Sequence, residues 1–480
     1  MSAPQSAEQS AAQSSVLRPG DERERLRARC RTAVERAIDA GADEAEACAS
    51  ANSGTSVQLE KGDLQLARVK ESESLGLRVF VGGRIGFAST NQASSDTSLA
   101  QLARDAVTLA KLSPVDPSAG LLSGSRIDPR PFLDQPRAWD IGPERVVDWA
   151  ADLLGRIRAF DRRISVDQGA VNFGRGSSAV FSSIGADAAE SDAGLSASLF
   201  GMAIDGDEVG GFDSRGDYAR NAEGFEARLE RLAREFGTTV LANLGTGRAQ
   251  TYKGAVLLAP AAVLDLLVEP LVGALSALAV QRGRSAMAGK LGEAIAASAF
   301  DLVDDPTDPE LAGATGADRE GAPAVRTPLV EAGVLATYLY NARAARIEGR
   351  ASGTGHAVGG PRGVPGIGPH ALVLGPAKPS DEGQLDFGRD ELAPRLGRGL
   401  LVGRFSGTVD PTSGDFSGVA KSARWIEAGA VTGSVGETLI AGNAYEALRA
   451  IAALSSRTAL LGGRCRMPWA LVDGVSVTAG

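Results

Sequence analysis

Strand-like and helix-like patterns follow one another along this chain without a regular alternation. Runs in which apolar and polar residues alternate are typical of strands, and they come in blocks. LGLRVFV and RIGFAST, for example, are joined by Gly82-Gly83, a strong hairpin signal. Helical periodicity appears between the blocks, as from Asp96 to Leu112. Since no steady strand–helix–strand rhythm is present, the pattern predicts an α+β fold rather than a doubly wound sheet.

The order of these blocks predicts two domains after a short tail. Residues 1–20, rich in Ser, Ala and Gln, are typical of a disordered tail. An N-terminal domain of helices and hairpins is expected over residues 21–245, and a β-rich C-terminal domain with a buried helix over residues 246–480. The expected helices are Asp21 to about Ala40, Asp96–Leu112, one from Pro143, Ala222 to about Leu244, and about Thr438 to Ala453.

Charge and cysteine content exclude several classes of function. The formal net charge of −9 provides no basic footprint for nucleic acid or for an anionic membrane. No apolar run is long enough to span a bilayer, and the N-terminus lacks the basic start and apolar core of a secretory signal. The three cysteines are few and scattered, so a reducing cytoplasm is the expected location.

The stretch DLLVEPLVGAL, Asp265 to Leu275, is predicted to be a buried helix with an unusual centre. Glu269 interrupts the apolar run, and Pro270 follows it directly. Proline inside a helix removes a backbone hydrogen bond and clashes with the preceding turn, so an irregularity is expected here. Glu269 is expected to be partly exposed or to cap a kink, where the helix dipole favours a carboxylate.

Familiar catalytic motifs are missing from the sequence. The two histidines, His356 and His370, do not form the helical pair that a zinc protease uses to hold its metal. No G-x-S-x-G elbow occurs. GRSAMAGKL and GTGHAVG each miss a nucleotide-binding fingerprint by one position.

A weak candidate for a metal site remains in His356, His370 and Cys465, although their spacing matches no familiar zinc pattern. The alternative for Cys465 is a small buried apolar residue. The alternative for His356 is a loop histidine that hydrogen-bonds its own backbone.

The stretch FSGTVDPTSGDFSG, Phe405 to Gly418, has small residues and alternating polarity, which suggest a strand lining a groove. A peptide can add to such an edge through main-chain hydrogen bonds. The alternative is an ordinary hairpin strand. The candidate substrate-binding residues are Phe405, Ser406, Gly407, Thr412, Ser413, Gly414, Asp415 and Phe416.

From about residue 40 to the C-terminus, the chain resembles the TldD/PmbA family, and within it the PmbA (TldE) branch. The order and spacing of several stretches carry the resemblance. They are SVQLEKGDLQLARVKESESLGLRVFVGGRIGFAST, SPVDP, VLLAPAAVLDLL, GRSAMAGKLGE, SGTGHAVGG, TSGDFSGVAKSARWIEAGAV and TLIAGN.

The resemblance implies a site that has lost its metal ligands. The TldD branch carries H-E-x-x-x-H on a helix, and a downstream Cys completes its zinc site. On this chain the two His positions are Val268 and Gly273, the Glu position is Glu269, and Cys465 lies near the Cys position. The resemblance therefore implies no catalytic residue and no cofactor in this chain, with zinc in a TldD-like partner that bears H-E-x-x-x-H.

The expected function is that of a non-catalytic subunit of a zinc metallopeptidase heterodimer that cleaves extended, unfolded or modified peptides. Two alternatives stay open. One is a stand-alone metallopeptidase with an atypical metal site. The other is a peptide-binding protein without enzymatic activity.

Overall fold

The structure is a computed structural model that describes residues 17–93, 95–134, 136–375 and 387–480, with the backbone alone at 378–379. Most of the predicted tail therefore lies outside the described residues. Helices and strands are mixed, and the C-terminal half is rich in strands, so the predicted α+β class is confirmed. No helix in the described ranges is long and apolar enough to cross a membrane.

The helices are α1 (Pro19–Asp39), α2 (Asp96–Leu112), α3 (Pro131–Asp134), α4 (Pro143–Phe160), α5 (Phe225–Ala242), α6 (Pro260–Val263), α7 (Glu269–Ala274), α8 (Ala277–Gln281), α9 (Ala342–Ile347), α10 (Phe387–Leu396) and α11 (Ala444–Arg449). A π-helical turn, Leu264–Val268, joins α6 to α7.

The strands before α5 are β1 (Glu44–Glu60), β2 (Asp63–Val81), β3 (Arg84–Thr90), β4 (Arg126–Ile127), β5 (Ile164–Ser182), β6 (Asp187–Asp205), β7 (Glu208–Val209) and β8 (Asp213–Ala219). They form the first sheet, in which β3, β2, β1, β5 and β6 are consecutive neighbours.

The strands after α5 are β9 (Tyr252–Leu258), β10 (Leu302–Asp304), β11 (Thr327–Glu331), β12 (Val334–Leu335), β13 (Ala357–Val358), β14 (Gly366–Ile367), β15 (Leu372–Leu374), β16 (Lys378–Pro379), β17 (Gly399–Val402), β18 (Arg404–Val409), β19 (Asp415–Lys421), β20 (Arg424–Glu427), β21 (Ala430–Ser434), β22 (Thr438–Asn443), β23 (Ile451–Leu461) and β24 (Cys465–Ala479). Apart from the β13–β14 pair, they form the second sheet. The predicted boundary at residue 245 falls between α5 and β9, and the division into two domains stays a prediction.

The helix expected from about Thr438 to Ala453 is wrong over most of its length. Thr438–Asn443 is strand β22, which pairs with both β19 and β24. Only Ala444–Arg449 is helical, and the Asn443 side chain caps it by accepting the N–H groups of Tyr445 and Glu446. Sheet pairing on both sides thus overrides the local helical pattern.

Helices cover one face of the first sheet. Alternate β1 residues Ala45, Ala47, Ala49 and Ala51 belong to the core that α1 and α2 close. Farther along the same face, Val57 packs into the core that α4 and α5 close. Because side chains of a strand alternate between the two faces, the intervening residues of β1 point away from the helices.

A cluster of buried charged residues lies at one end of the face of the first sheet that the helices do not cover. The Glu46 carboxylate accepts hydrogen bonds from the Arg78 guanidinium at 2.8 Å and the Arg319 guanidinium at 3.0 Å. Arg78 also bonds Glu320 at 2.7 Å, and Glu320 in turn accepts the Ala342 N–H at 2.6 Å. The cluster fastens the segment around Arg319 to the first sheet.

Replacing Glu46 with Gln is expected to lower the free energy of unfolding by about 3 kcal/mol, because the buried Arg319 guanidinium loses its counter-charge and Arg78 keeps only Glu320. Urea unfolding followed by circular dichroism measures the change. Glu60→Gln, an exposed site on the same strand, is the matched control. Equal unfolding midpoints for the two variants would show that the cluster contributes no stability.

Candidate functional site

The helix that contains Glu269 passes through a π-helical turn. α6, the turn Leu264–Val268 and α7 are continuous, and the Glu269 N–H bonds the carbonyl of Leu264, five residues back. Pro270 follows at the start of α7, where its missing N–H and bulky ring are tolerated. The irregularity expected at Pro270 is therefore a widened turn on its N-terminal side, a feature frequent at functional sites.

The positions of the two family histidines do not share a face of this helix. Val268 is fully buried in the core of the second sheet, whereas Gly273 is exposed. Glu269 is exposed, in agreement with the expectation of partial exposure. The structure thus offers one carboxylate and no imidazole at the family's motif.

A second carboxylate lies one turn before Glu269. Although Glu269 is exposed at the surface, partial desolvation of its carboxylate, and then the neighbouring Asp265 carboxylate, raise the pKa of Glu269. Burial also raises the pKa of Asp265, and this effect outweighs the Phe405 N–H, which donates to Asp265 at 3.2 Å. The pair therefore holds protons more firmly than exposed carboxylates do.

The edge strand β18 runs beside this helix, joined to it by the Phe405–Asp265 hydrogen bond. In the part of the chain that the structure describes, β18 pairs only with β19, so its other edge is open. Ser406 and Gly407 on β18 are exposed, while Phe405 is 9% exposed. Because the Phe405 N–H is already bonded to Asp265, two of the eight candidate residues, Ser406 and Gly407, lie on the part of the edge to which a peptide could add.

The segment from Phe405 to Gly418 is a hairpin, which is the alternative that the sequence left open, and not one continuous strand. Asp410 accepts the N–H groups of Thr412 and Ser413, which forms the turn between β18 and β19. Gly414 has φ +85°, a conformation that favours glycine.

The remaining candidate residues consequently lie away from the open edge. Thr412, Ser413 and Gly414 form the turn, and Asp415 and Phe416 lie on β19, which is paired on both sides.

The two histidines are packed around a buried carboxylate. Asp304 is 0% exposed and accepts the N–H groups of His370 and Ala371. His356 Nε2 lies 3.0 Å from Asp304 Oδ2, although the direction is not that of a hydrogen bond. The His356 and His370 ring centroids are 5.8 Å apart.

The expectation that His356 bonds its own backbone is wrong, since its Nδ1 lies 2.8 Å from the Thr354 hydroxyl. His370, in contrast, bonds backbone, donating from Nε2 to the Gly355 carbonyl at 2.8 Å. Burial lowers the pKa of His370, so its ring is neutral at neutral pH. Both rings therefore pack around Asp304, within the segment that contains the two histidines.

Cys465 begins strand β24, opposite Leu372. Burial raises the pKa of its thiol to about 11, and the Glu269 and Asp304 carboxylates add to the rise. Zinc is bound by the thiolate form, which this environment disfavours.

The residues present do not fit a zinc ion of the family type. Val268 and Gly273 offer no ligand atom, so the two histidine ligands of the family site are missing here. The described ranges contain no group of three or more His, Cys, Asp or Glu side chains arranged to hold a metal ion.

A polar cavity of 740 Å³, which sequence reasoning missed, covers the helix-free face of the first sheet. Ser56 donates to Asn172 at 2.6 Å, and Asn172 donates to Ser196 at 3.2 Å, so a polar ladder crosses three strands. Glu190 and Asp192 stand at its β6 end. The signal was small polar residues at every second position of three strands, in NSGTS, NFGRGSS and SDAGLSAS.

The carboxylates at that end of the cavity differ in their partners. Burial raises the pKa of Glu190, whose oxygens accept the Thr315 hydroxyl and the Gly316 N–H. Burial raises the pKa of Asp192 to about 6 despite its ion pair with Arg220.

Comparison with known proteins relates this two-sheet fold to metallopeptidases. Two family models match it, the PmbA/TldA metallopeptidase C-terminal domain over residues 251–479 and the PmbA/TldA metallopeptidase domain 1 over residues 45–110. The chain belongs to the TldD/PmbA family.

Relatives and solved structures agree with this assignment. Metalloprotease PmbA of Escherichia coli O157:H7 is 26% identical over 85% of this chain and 86% of its own length. An uncharacterized protein of Methanocaldococcus jannaschii is 35% identical over 42% of this chain, and the chain spans 45% of that relative. The crystal structure of TldE from Thermococcus kodakarensis has a TM-score of 0.83 and 22% identity, and covers 94% of this chain and 100% of its own. This last likeness concerns the fold.

We expect Cys465 to resist alkylation in the folded chain. With its pKa at about 11, the reactive thiolate at pH 8 is about 100-fold scarcer than for an ordinary thiol. Iodoacetamide labelling at pH 8, with mass spectrometry of the Cys465 peptide, measures the rate. The same reaction in denaturant is the control, and equal rates in the two states would contradict a raised pKa.

Glu269→Gln is expected to raise the melting temperature at pH 7 and to leave it unchanged near pH 4. Because the pKa of Glu269 is raised on folding, its unfavourable effect is absent below the unfolded pKa and grows as pH rises through the folded pKa. Differential scanning fluorimetry from pH 4 to pH 8 measures the difference, with Glu60→Gln as the exposed control. A gain that does not change with pH would contradict this linkage.

Proposed function

We propose that this chain is a non-catalytic subunit of a zinc metallopeptidase of the TldD/PmbA type and acts in the cytoplasm. A paralogous partner that bears H-E-x-x-x-H supplies the zinc, its ligands and the glutamate base. In that partner, the two histidines would hold the zinc, which would activate water for attack on the peptide carbonyl, with the glutamate as general base. This chain contributes part of the peptide-binding chamber.

The observation that carries the proposal is the state of the motif helix. Val268 is buried within the core, and Gly273 has no side chain. Glu269 is the one motif residue that remains, and a carboxylate without a metal has no bound water to activate. Membership of a metallopeptidase family together with this degenerate motif supports a role in which the chemistry takes place on another chain.

The open edge of β18 supports a role in holding the substrate. Main-chain hydrogen bonds to an edge strand require an extended peptide and no particular sequence. This suits unfolded or modified peptides.

Affinity purification of the tagged chain from its own cells tests the proposal. A stoichiometric paralogue with H-E-x-x-x-H is expected in the eluate. Eluates that contain that paralogue should hydrolyse peptides and should contain about one zinc ion per heterodimer. A matched tagged variant with Glu437→Gln, an exposed position outside β18 and the motif helix, controls for purification artefacts.

Two outcomes would contradict the subunit role. Tight zinc and hydrolysis in the purified chain alone would indicate a stand-alone peptidase with an atypical site. A chain that purifies alone, without zinc, and binds unfolded peptides without cleaving them would indicate a peptide-binding protein.

A further inference from the structure

Half of strand β2 forms a second open edge, on the first sheet. β3 pairs with β2 only over Leu75–Val81. In the described chain, the outer edge of residues 63–72 has no partner, and residues 63–71 are all exposed. A long exposed edge of this kind is a template for an added strand.

Two cations on this edge have no counter-charge. Arg68 and Lys70 lie opposite Ser56 and Gly54 of β1 and line the polar cavity. Within the described residues, neither side chain has an acidic partner at ion-pair distance. Because the chain as a whole carries −9, these exposed cations mark a local reversal of charge.

The side chains of this part of β2 that point to the opposite face of the sheet are not cationic. Val69 lies opposite Thr55, on the face that the helices cover, and is 57% exposed. Glu71, opposite Ser53, shares that face. Along this edge, an added strand would therefore meet Arg68, Lys70 and the exposed Leu66 on its cavity side, and Val69 and Glu71 on its helix side.

We propose that the β2 edge at residues 63–72 binds an acidic extended segment of the substrate peptide, with acidic side chains at alternate positions. Directly opposite side chains of paired strands lie about 5 Å apart, so acidic residues at i and i+2 would pair with Arg68 and Lys70. Apolar residues between them would pack beside Val69. This inference rests on the peptide-binding part of the proposed function and specifies the substrate class.

Charge complementarity favours this occupant over a second copy of the chain. Antiparallel pairing of two copies centred on Val69 would place Arg68 of one copy opposite Lys70 of the other. A basic peptide would meet the same repulsion. An added acidic strand avoids this charge repulsion, and it also forms hydrogen bonds with the unpaired main-chain groups of β2.

Fluorescence anisotropy with the full-length chain tests the proposal. Three labelled, capped peptides share Gly-Ser flanks and differ in their cores, which are Glu-Val-Glu-Val, Glu-Glu-Val-Val and Lys-Val-Lys-Val. The alternating acidic peptide is expected to bind at least fivefold more tightly than the basic peptide and about threefold more tightly than the block peptide. Raising the salt concentration to about 0.5 M should reduce the preference for the alternating acidic peptide over the basic peptide, because salt screens exposed charges.

Variants locate the site. The double variant Arg68→Gln, Lys70→Gln is expected to bind the alternating acidic peptide at least fivefold more weakly, with little change for the basic peptide. Arg282→Gln with Arg284→Gln removes two exposed cations outside the cavity lining and is the matched control.

Equal affinities for the three peptides, or equal losses in the two double variants, would overturn the inference. A concentration-dependent dimer that Arg68→Gln, Lys70→Gln abolishes, without peptide binding, would overturn it in favour of self-association. These measurements use the chain without a partner. The acidic preference and the subunit role can therefore fail independently.

Discussion

The contact of Glu46 with Arg78 and Arg319 joins the two halves of the chain through buried charge. It buries charge from β1, β2 and a loop of the C-terminal half in one cluster. A buried carboxylate between two guanidinium groups requires all its partners, so this contact sets a definite position for the Arg319 loop. The rest of the helix-free sheet face lies beyond it and remains open as the polar cavity.

Local sequence patterns predicted much of the fold. α2 has the predicted bounds, and the hairpin at Gly82-Gly83 is present. Two Glu-Ala-Gly segments also form hairpins, and both Ala332 and Ala428 adopt positive φ in their turns. These features depend on caps and turns, which neighbouring residues determine. The strand Thr438–Asn443 was missed because its partners are distant in sequence.

In the candidate site, too, features set by neighbouring residues were predictable and features set by distant contacts were not. Exposure of Glu269 was expected from one charged residue in an apolar run. The π-helical turn before it and the open edge of β18 depend on tertiary packing, and the sequence alone does not show which strand of a hairpin is at an edge. The polar cavity was detectable as serine, asparagine and glycine at alternate positions. That these residues line one cavity became clear only from the structure, in which β1, β5 and β6 place them on one face of the sheet.

The topology of the first sheet has a consequence for how the chain folds. β1 and β2 form a hairpin with a short turn, and so do β5 and β6. The two hairpins join through β1 and β5, where Glu46 pairs with Ser182 and Glu60 with Gln168. Closing so long a loop costs entropy before its contacts form, so we expect the union of the hairpins to be slower than the formation of either hairpin. Until they join, the facing edges of β1 and β5 have no strand partner, and such edges expose a folding chain to aggregation.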